Sequence, residues 1–500
     1  MVHRILREER HRTLIESIGN QLGAKRFRMV YCNRDLKLGP IRWIGFDMDY
    51  TLAIYNRDVL DALCHQLALD LLVAERGYPR EILSLPCDPH FAIRGLVIDK
   101  RRGHLLKLDE HNFVGLGTHG QRPLTRDERH SYRRSPLRLS PRDFQHVDTL
   151  FELPEAWLHA ALIEHFQVEA SSDDALRLAN DVRWVIDQIH ARGPMKATIA
   201  ADLNTYLERD PDLPEALHRL RAANKKLFLM TNSAWEYTSA VMSWLLDGVH
   251  PAYPSWRDYF DLVITDARKP RFFQQGSPFE ELNDAGEVVR EVEDDALCSG
   301  AIYAKGNMRA LQRTCSAGGD EILYVGDHIY GDVLRSKRDS LWRTVMVIPE
   351  MEDELRAVEA HAQDLLTWNR IETELHDVQE SISYEVFLLR RLEHLATSGA
   401  LPVDFDAGSA IASLRELIDR LRLQKEELLA ASLRHEKAMP GYFHPRWGSL
   451  FKLGNEHSRF GQLVQAHACL YTSRVSNLLA YDADHHFHAP RTFLPHERFL

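Results

Sequence analysis

The sequence predicts an α/β protein: a doubly wound, Rossmann-like parallel sheet with an inserted α+β cap and a C-terminal helical hairpin extension. Three observations predict it. Short unbroken apolar runs stop abruptly at polar residues in five places. Stretches of helical periodicity lie between them. After Pro349 the apolar residues recur at three- and four-residue steps through two long segments.

The five runs are Trp43–Phe46, Leu227–Met230, Leu262–Ile264, Ile322–Val325 and Thr344–Ile348. A run without alternation suits a strand covered on both faces. Ligands of such sheets collect beyond the carboxyl ends of the strands, so the residues after each run are expected at one rim. About 180 residues separate the first run from the second, far more than an ordinary crossover. Within them, Gly95–Asp99 and His104–Leu108 flank a turn and read as a hairpin, and helical patterns follow at Glu155–Phe166 and Asp174–Arg192. Beyond Pro349, Ile371, Leu375, Val378, Ile382, Val386, Leu389 and Leu392 form one helical seam. Ile411, Leu414, Ile418, Leu421 and Leu428 form a second, with a breaker at Ser398–Pro402. The expected divisions are a first core part at 1–58, the cap at 59–215, a second core part at 216–350, and the hairpin and tail at 351–500.

Composition narrows the class. The 500 residues carry 62 Lys and Arg against 73 Asp and Glu, a net charge of −11, with 44% hydrophobic and 27% charged residues. That is globular rather than disordered, and it lacks the basic surplus of a nucleic-acid binder. No apolar run approaches the ~20 residues of a membrane helix, and the N-terminal segment lacks the apolar centre of a signal peptide. Six scattered cysteines without CxxC spacing read as reduced thiols. A cytoplasmic protein without membrane contact is expected. The tract His485-His486-Phe487-His488 does not have tetrahedral metal-site spacing and reads as a surface or interface segment.

The residues after the runs carry chemistry. Asp47 and Asp49, one residue apart in Asp47-Met48-Asp49-Tyr50-Thr51, can divide two tasks: attack on phosphorus, and proton transfer to and from the leaving oxygen. Thr231-Asn232-Ser233 offers hydroxyl, amide and backbone donors for phosphate oxygens, although such residues also serve as ordinary helix caps. Lys269 can neutralise charge on a transferring phosphoryl group. Asp327 and Asp332, in Gly326-Asp327-His328-Ile329-Tyr330-Gly331-Asp332, can supply carboxylates to a divalent cation.

This succession of motifs resembles the haloacid-dehalogenase superfamily of phosphatases. The residues around Asp47, Thr231, Lys269 and Asp327 are similar to those of the cytosolic purine 5′-nucleotidase family in a bacterial-type form, from about Val30 to Ile348. The resemblance implies Asp47 as nucleophile, Asp49 as acid and base, and Mg²⁺ held by Asp47, the Asp49 carbonyl and Asp327. Thr51 and Asp332 would be supporting residues. In the cap it implies that Phe151 stacks on the base, while Arg183, Asp187, His190 and Lys196 contact the purine nucleotide. Asp148 and Glu152 stand where the family pattern has amides, and Ala191 where it has an aromatic. A nucleotide-effector site would draw on Arg138, Tyr330 and Arg338.

The expected activity is hydrolysis of purine nucleoside 5′-monophosphates such as IMP or GMP, with phosphoryl transfer to nucleosides through the same intermediate. The alternatives are a phosphatase for another small phosphorylated metabolite and a non-catalytic nucleotide-sensing scaffold. A homo-oligomer, dimer or tetramer, is expected from the hairpin and the resemblance.

Overall fold

Every position of the strand Trp43–Phe46 is buried, and among the described residues it lies within a central sheet of ten strands. The computed structural model describes residues 28–132, 137–274, 276–292, 297–334, 340–492 and 497. In chain order the sheet strands are β1 (Tyr31–Cys32), β2 (Trp43–Phe46), β3 (Lys226–Met230), β4 (Leu262–Thr265), β5 (Phe279–Leu282), β6 (Val288–Val292), β7 (Ile302–Lys305), β8 (Ile322–Gly326), β9 (Arg343–Val347) and β10 (Leu470–Thr472). Their spatial order is β1-β10-β9-β8-β2-β3-β4-β7-β5-β6. The seven strands from β10 to β7 run parallel, while β1 and the β5–β6 hairpin pair antiparallel at the two edges. Gly45 in β2 is a packing requirement: a Cβ there would lie 2.1 Å from the Phe228 ring.

The five apolar runs are all strands of this sheet. Its other members escaped the sequence reading because they are short, alternating or remote. β10 corrects the expectation that residues 351–500 form one appendage: Leu450–Leu500 belongs with the core, and only Glu354–Ser449 forms a second compact unit. In that unit, helices Ala362–Thr397 and Ala407–Ala438 pack on each other; of their apolar residues Leu375, Val378 and Ile418 are buried, whereas Leu366, Tyr384, Phe387 and Leu423 are exposed.

The inserted segment has its own five-stranded antiparallel sheet, which contains the expected hairpin Leu96–Asp99/His104–Leu108. The helices flanking it are α1 (Arg57–Arg76), α2 (Leu153–His165), α3 (Asp173–Arg192) and α4 (Pro194–Ala201). Among the described residues no helix is long and apolar enough to cross a membrane, and no disulfide occurs among the cysteines.

The cap interior holds histidines that burial keeps neutral. His104 and His159 are 3% and 1% exposed, and burial pushes their pKa values down to about 3 and about 4. An unfolded chain binds these protons near pH ~6.5, so their stabilisation is complete above that pH and is lost as pH falls toward the folded values. The loss is about 1.4 kcal/mol per pH unit per group. Melting temperatures at pH 7.5 and 5.5 should therefore fall further for the wild type than for His159→Leu; equal falls would contradict this account.

Candidate active site

Adjacent parallel strands place the motif residues at one rim. β8, β2, β3 and β4 are neighbours, with Val325 opposite Phe46 and Phe46 opposite Leu229. Their carboxyl ends therefore emerge side by side, followed by Asp327, Asp47, Thr231 and Asp266. Backbone bonds carry the alignment beyond the strands: Asp47 N–H donates to Val325 O (2.9 Å) and Thr231 N–H to Ile264 O (2.9 Å).

Lys269 lies among the carboxylates. Its Nζ is 2.9 Å from Asp47 Oδ1 and 2.8 Å from Asp332 Oδ1, and it donates to the Tyr324 hydroxyl (2.9 Å), which donates to Met230 O (3.0 Å). Asn232 braces the Lys269 backbone from both sides, accepting its N–H (2.6 Å) and donating to its carbonyl (3.0 Å). Asp266 and Arg268, on the approach to Lys269, both have positive φ, 42° and 56°. Such local strain persists where surrounding contacts hold it. Glycine at 326 is required, since a Cβ there would lie 2.5 Å from Asp332 Oδ2.

The charges do not balance. Asp47, Asp327 and Asp332 bring one carboxylate oxygen each within 4.8 Å of one another, and all three are buried. Burial and the neighbouring carboxylates push Asp327 well above the usual carboxylate range. Burial raises Asp47 as well, against the opposing pull of Lys269. Burial alone would lower the Lys269 pKa, but Asp332 and Asp47 hold it well above its ordinary value. One ammonium among three clustered carboxylates leaves excess negative charge, and an all-oxygen donor set fits a hard divalent cation such as Mg²⁺. Met48 N–H and Lys269 both engage Asp47 Oδ1, leaving Oδ2 for a ligand or substrate.

The Asp49 carboxylate belongs to a different network. Tyr55 donates to its Oδ1 (2.5 Å) and Ser233 to its Oδ2 (2.7 Å). Tyr237 backs Tyr55 through a 2.8 Å hydroxyl contact, and Lys196, from α4, donates to Ser233 Oγ (3.0 Å). Tyr55 and Tyr237 were not read from the sequence; nothing in the spacing of residues 55 and 237 pairs them. Thr51 is buried, and its hydroxyl has no hydrogen-bond partner among the described residues.

The cap residues meet this network through aromatic contacts. Phe151 packs 4.8 Å from the Tyr50 ring, 5.9 Å from Tyr55 and 5.6 Å from His190. His190 Nδ1 lies 2.8 Å from Ile186 O, so it carries the proton; Nε2 is buried and has no partner among the described residues. Arg183 sits among three carboxylates, Glu152 (3.2 Å), Glu155 (3.1 Å) and Asp187 (3.0 Å). Glu155 is buried, which pushes it up to about 8 despite Arg183. Glu152 earns its place locally, accepting the N–H groups of Asp148 (2.9 Å) and Thr149 (3.1 Å) at the head of α2.

The model of the 5′ nucleotidase family matches residues 30–499. The chain belongs to this family. It is similar to a 5′-nucleotidase domain-containing protein of Dictyostelium discoideum, 30% identical over 482 residues that cover 94% of this chain and 74% of that one. It is also similar to 5′-nucleotidase domain-containing protein 2 of Rattus norvegicus, 31% identical over 482 residues, 94% of this chain and 80% of that one. A solved structure of a predicted phosphoglycolate phosphatase from Haemophilus somnus 129pt matches 62% of this chain and 85% of its own at 12% identity, with a TM-score of 0.26. Membership in the 5′ nucleotidase family supports a phosphoric monoester hydrolase that acts on nucleotides.

In this nucleotidase-family chain two of the three residues expected at an effector site, Arg138 and Tyr330, are among the described residues. Arg138 is exposed, and Arg338 lies outside the described residues. The Tyr330 hydroxyl accepts from Arg459 (2.5 Å), which also pairs with buried Asp148 at 2.9 Å. Asp148 is therefore neutralised internally. A second tie reaches the Asp327 loop from Arg94, which donates to Asp327 O (2.9 Å) and forks onto Glu350 (2.7 and 2.6 Å).

Removing the Lys269 ammonium leaves buried carboxylates unpaired, which costs about 3–5 kcal/mol. Lys269→Met is expected to lower the melting temperature sharply, with part of the loss recovered by adding Asp332→Asn. A Lys269→Met melting temperature equal to wild type would show that the pair contributes no stability.

Proposed function

We propose that the protein is a Mg²⁺-dependent 5′-nucleotidase that converts purine nucleoside 5′-monophosphates, IMP or GMP in type, to nucleoside and phosphate. The observation that carries the reading is Asp47: its Oδ1 is held by Lys269 and a backbone N–H, and its Oδ2 is uncommitted.

Asp47 Oδ2 attacks phosphorus and the bond to the 5′-oxygen breaks. Asp49 gives its proton to that oxygen, and nucleoside departs. Asp49 then takes a proton from water, the water oxygen attacks the aspartyl-phosphate, and phosphate leaves with Asp47 restored. Ser233 and Tyr55 fix the orientation of Asp49 through both transfers. Lys269 and the Thr231-Asn232-Ser233 loop face the charge that develops on the phosphoryl oxygens. Asp47, Asp327 and the Asp49 carbonyl would hold Mg²⁺, which when bound offsets phosphate charge, while Asp332 supports the Asp327 loop by accepting the His328 N–H and Thr51 supports the Asp47 loop through its backbone N–H on Met48 O.

The cap supports a purine. Phe151 offers a stacking face, Arg183 with its partner Asp187 would contact the nucleotide from α3, and Lys196 would contact it from beside Ser233. His190 Nε2 is a buried acceptor without a donor. Hypoxanthine and guanine present a ring N–H at N1, whereas adenine presents an acceptor there. A site with an unfilled acceptor selects the donor, because the mismatch leaves a buried group unpaired. A nucleoside hydroxyl in place of water would give phosphoryl transfer through the same intermediate.

A Mg²⁺-dependent phosphate-release screen should rank IMP and GMP above AMP and above sugar phosphates; a sugar phosphate at the top would overturn the nucleotide reading. Asp47→Asn should fold normally and lose turnover by at least about a thousandfold. Tyr55→Phe removes one hydrogen bond to a charged group and should lower kcat by about tenfold with little change in KM. Labelled IMP formed from inosine in the presence of a phosphate donor would demonstrate the transfer branch.

A further inference from the structure

The nucleotidase reading leaves the tract His485-His486-Phe487-His488 without a role, and its spacing alone does not make a metal site. The fold supplies the missing member from the other end of the chain. Leu36 and Lys37 pair antiparallel with Phe487 and His486. Alternation along the short strand His486–Phe487 sends Phe487 inward, 4% exposed, and leaves His486 and His488 together on the opposite side. Their ring centroids lie 3.7 Å apart.

Asp35 immediately precedes Leu36, so the register brings it beside His488. One ligand atom from each of Asp35, His486 and His488 lies within 4.8 Å of the others. Asp35 Oδ1 accepts the Ala489 N–H (2.7 Å), which orients the carboxylate and leaves Oδ2 uncommitted. The nearby Arg343 guanidinium is engaged by the Asp35 carbonyl. His485 turns away from this group and packs 4.6 Å from the Phe487 ring and 5.0 Å from Tyr481.

We propose that Asp35, His486 and His488 form a second metal site, for a borderline divalent ion of the Zn²⁺, Co²⁺ or Ni²⁺ class, with water completing the coordination. Two imidazoles and one carboxylate suit those ions, whereas the all-carboxylate group around Asp47 suits Mg²⁺. The site clips the N-terminal and C-terminal segments of the core across a ladder of only two residue pairs. Such a clip closes a chain loop of roughly 450 residues, and its binding energy adds to folding stability. Lys37 lies across the ladder from His486, and its positive charge works against the affinity of the site for a cation.

The test uses the full chain, stripped with EDTA and kept in excess Mg²⁺, titrated with Co²⁺ and read by visible absorption. One equivalent should give an intense band of four- or five-coordinate Co²⁺ with nitrogen ligands. The band should vanish in His486→Ala/His488→Ala, weaken by at least about tenfold in affinity in Asp35→Asn, and persist in Asp47→Asn. Zn²⁺ should displace Co²⁺ and raise the melting temperature of the wild type but not of the double histidine variant, whose metal-free melting temperature should match wild type. Absence of the band, its survival in the double variant, or its loss in Asp47→Asn would each overturn the proposal.

Discussion

The site depends on one buried ammonium. Lys269 draws together the loops that follow four strands: Asp47 after β2, Asn232 after β3, its own segment after β4, and Asp332 after β8. Charges this close interact strongly because water is excluded, and the same exclusion makes an unpaired partner costly. The loops are therefore registered against one another by charge. Glycine at 326 and the left-handed residues 266 and 268 follow from that demand, since each lets backbone or carboxylate approach where an ordinary geometry would not.

Around this fixed centre the acid–base group is held differently. Asp49 is held by hydroxyls, and one of them, Ser233, takes a hydrogen bond from Lys196 of the cap. The position of the cap is thereby written into the hydrogen bonding of Asp49. Arg94 and Arg459 tie the Asp327 loop to the cap segment and to residues near position 460. The inserted segment is thus wired to both halves of the site, through these donors as well as through the packing of Phe151 on Tyr50 and Tyr55.

Five of the seven parallel strands were legible because burial on both faces writes itself as an unbroken apolar run, and the rim residues follow from strand polarity. The long helices were legible from periodicity. β10 was not: Leu470-Tyr471-Thr472 is too short to signal a strand, and only the exposed edge of β9 gives it a place. Tyr55 with Tyr237, Arg94 with Glu350, and Asp35 with His486 are partners chosen by the fold across long stretches of chain, and no local pattern encodes them. Arg183 shows the reverse case. Its spacing with Asp187 was visible, but Glu152 and Glu155, which hold its other side, come from the head of α2.

The edge of the sheet has a consequence for how the chain is made. β1 pairs with no sheet strand but β10, which lies between it and β9. A ribosome emits Tyr31 long before Leu470, so the first strand of the sheet must wait for the cap, the rest of the core and the helical unit to be made before its partner exists. The helical unit Glu354–Ser449 is synthesised in that interval, between the closing strands of the core. Assembly of this edge therefore follows synthesis of the helical unit, and a nascent chain halted before residue 470 keeps β1 without its sheet partner.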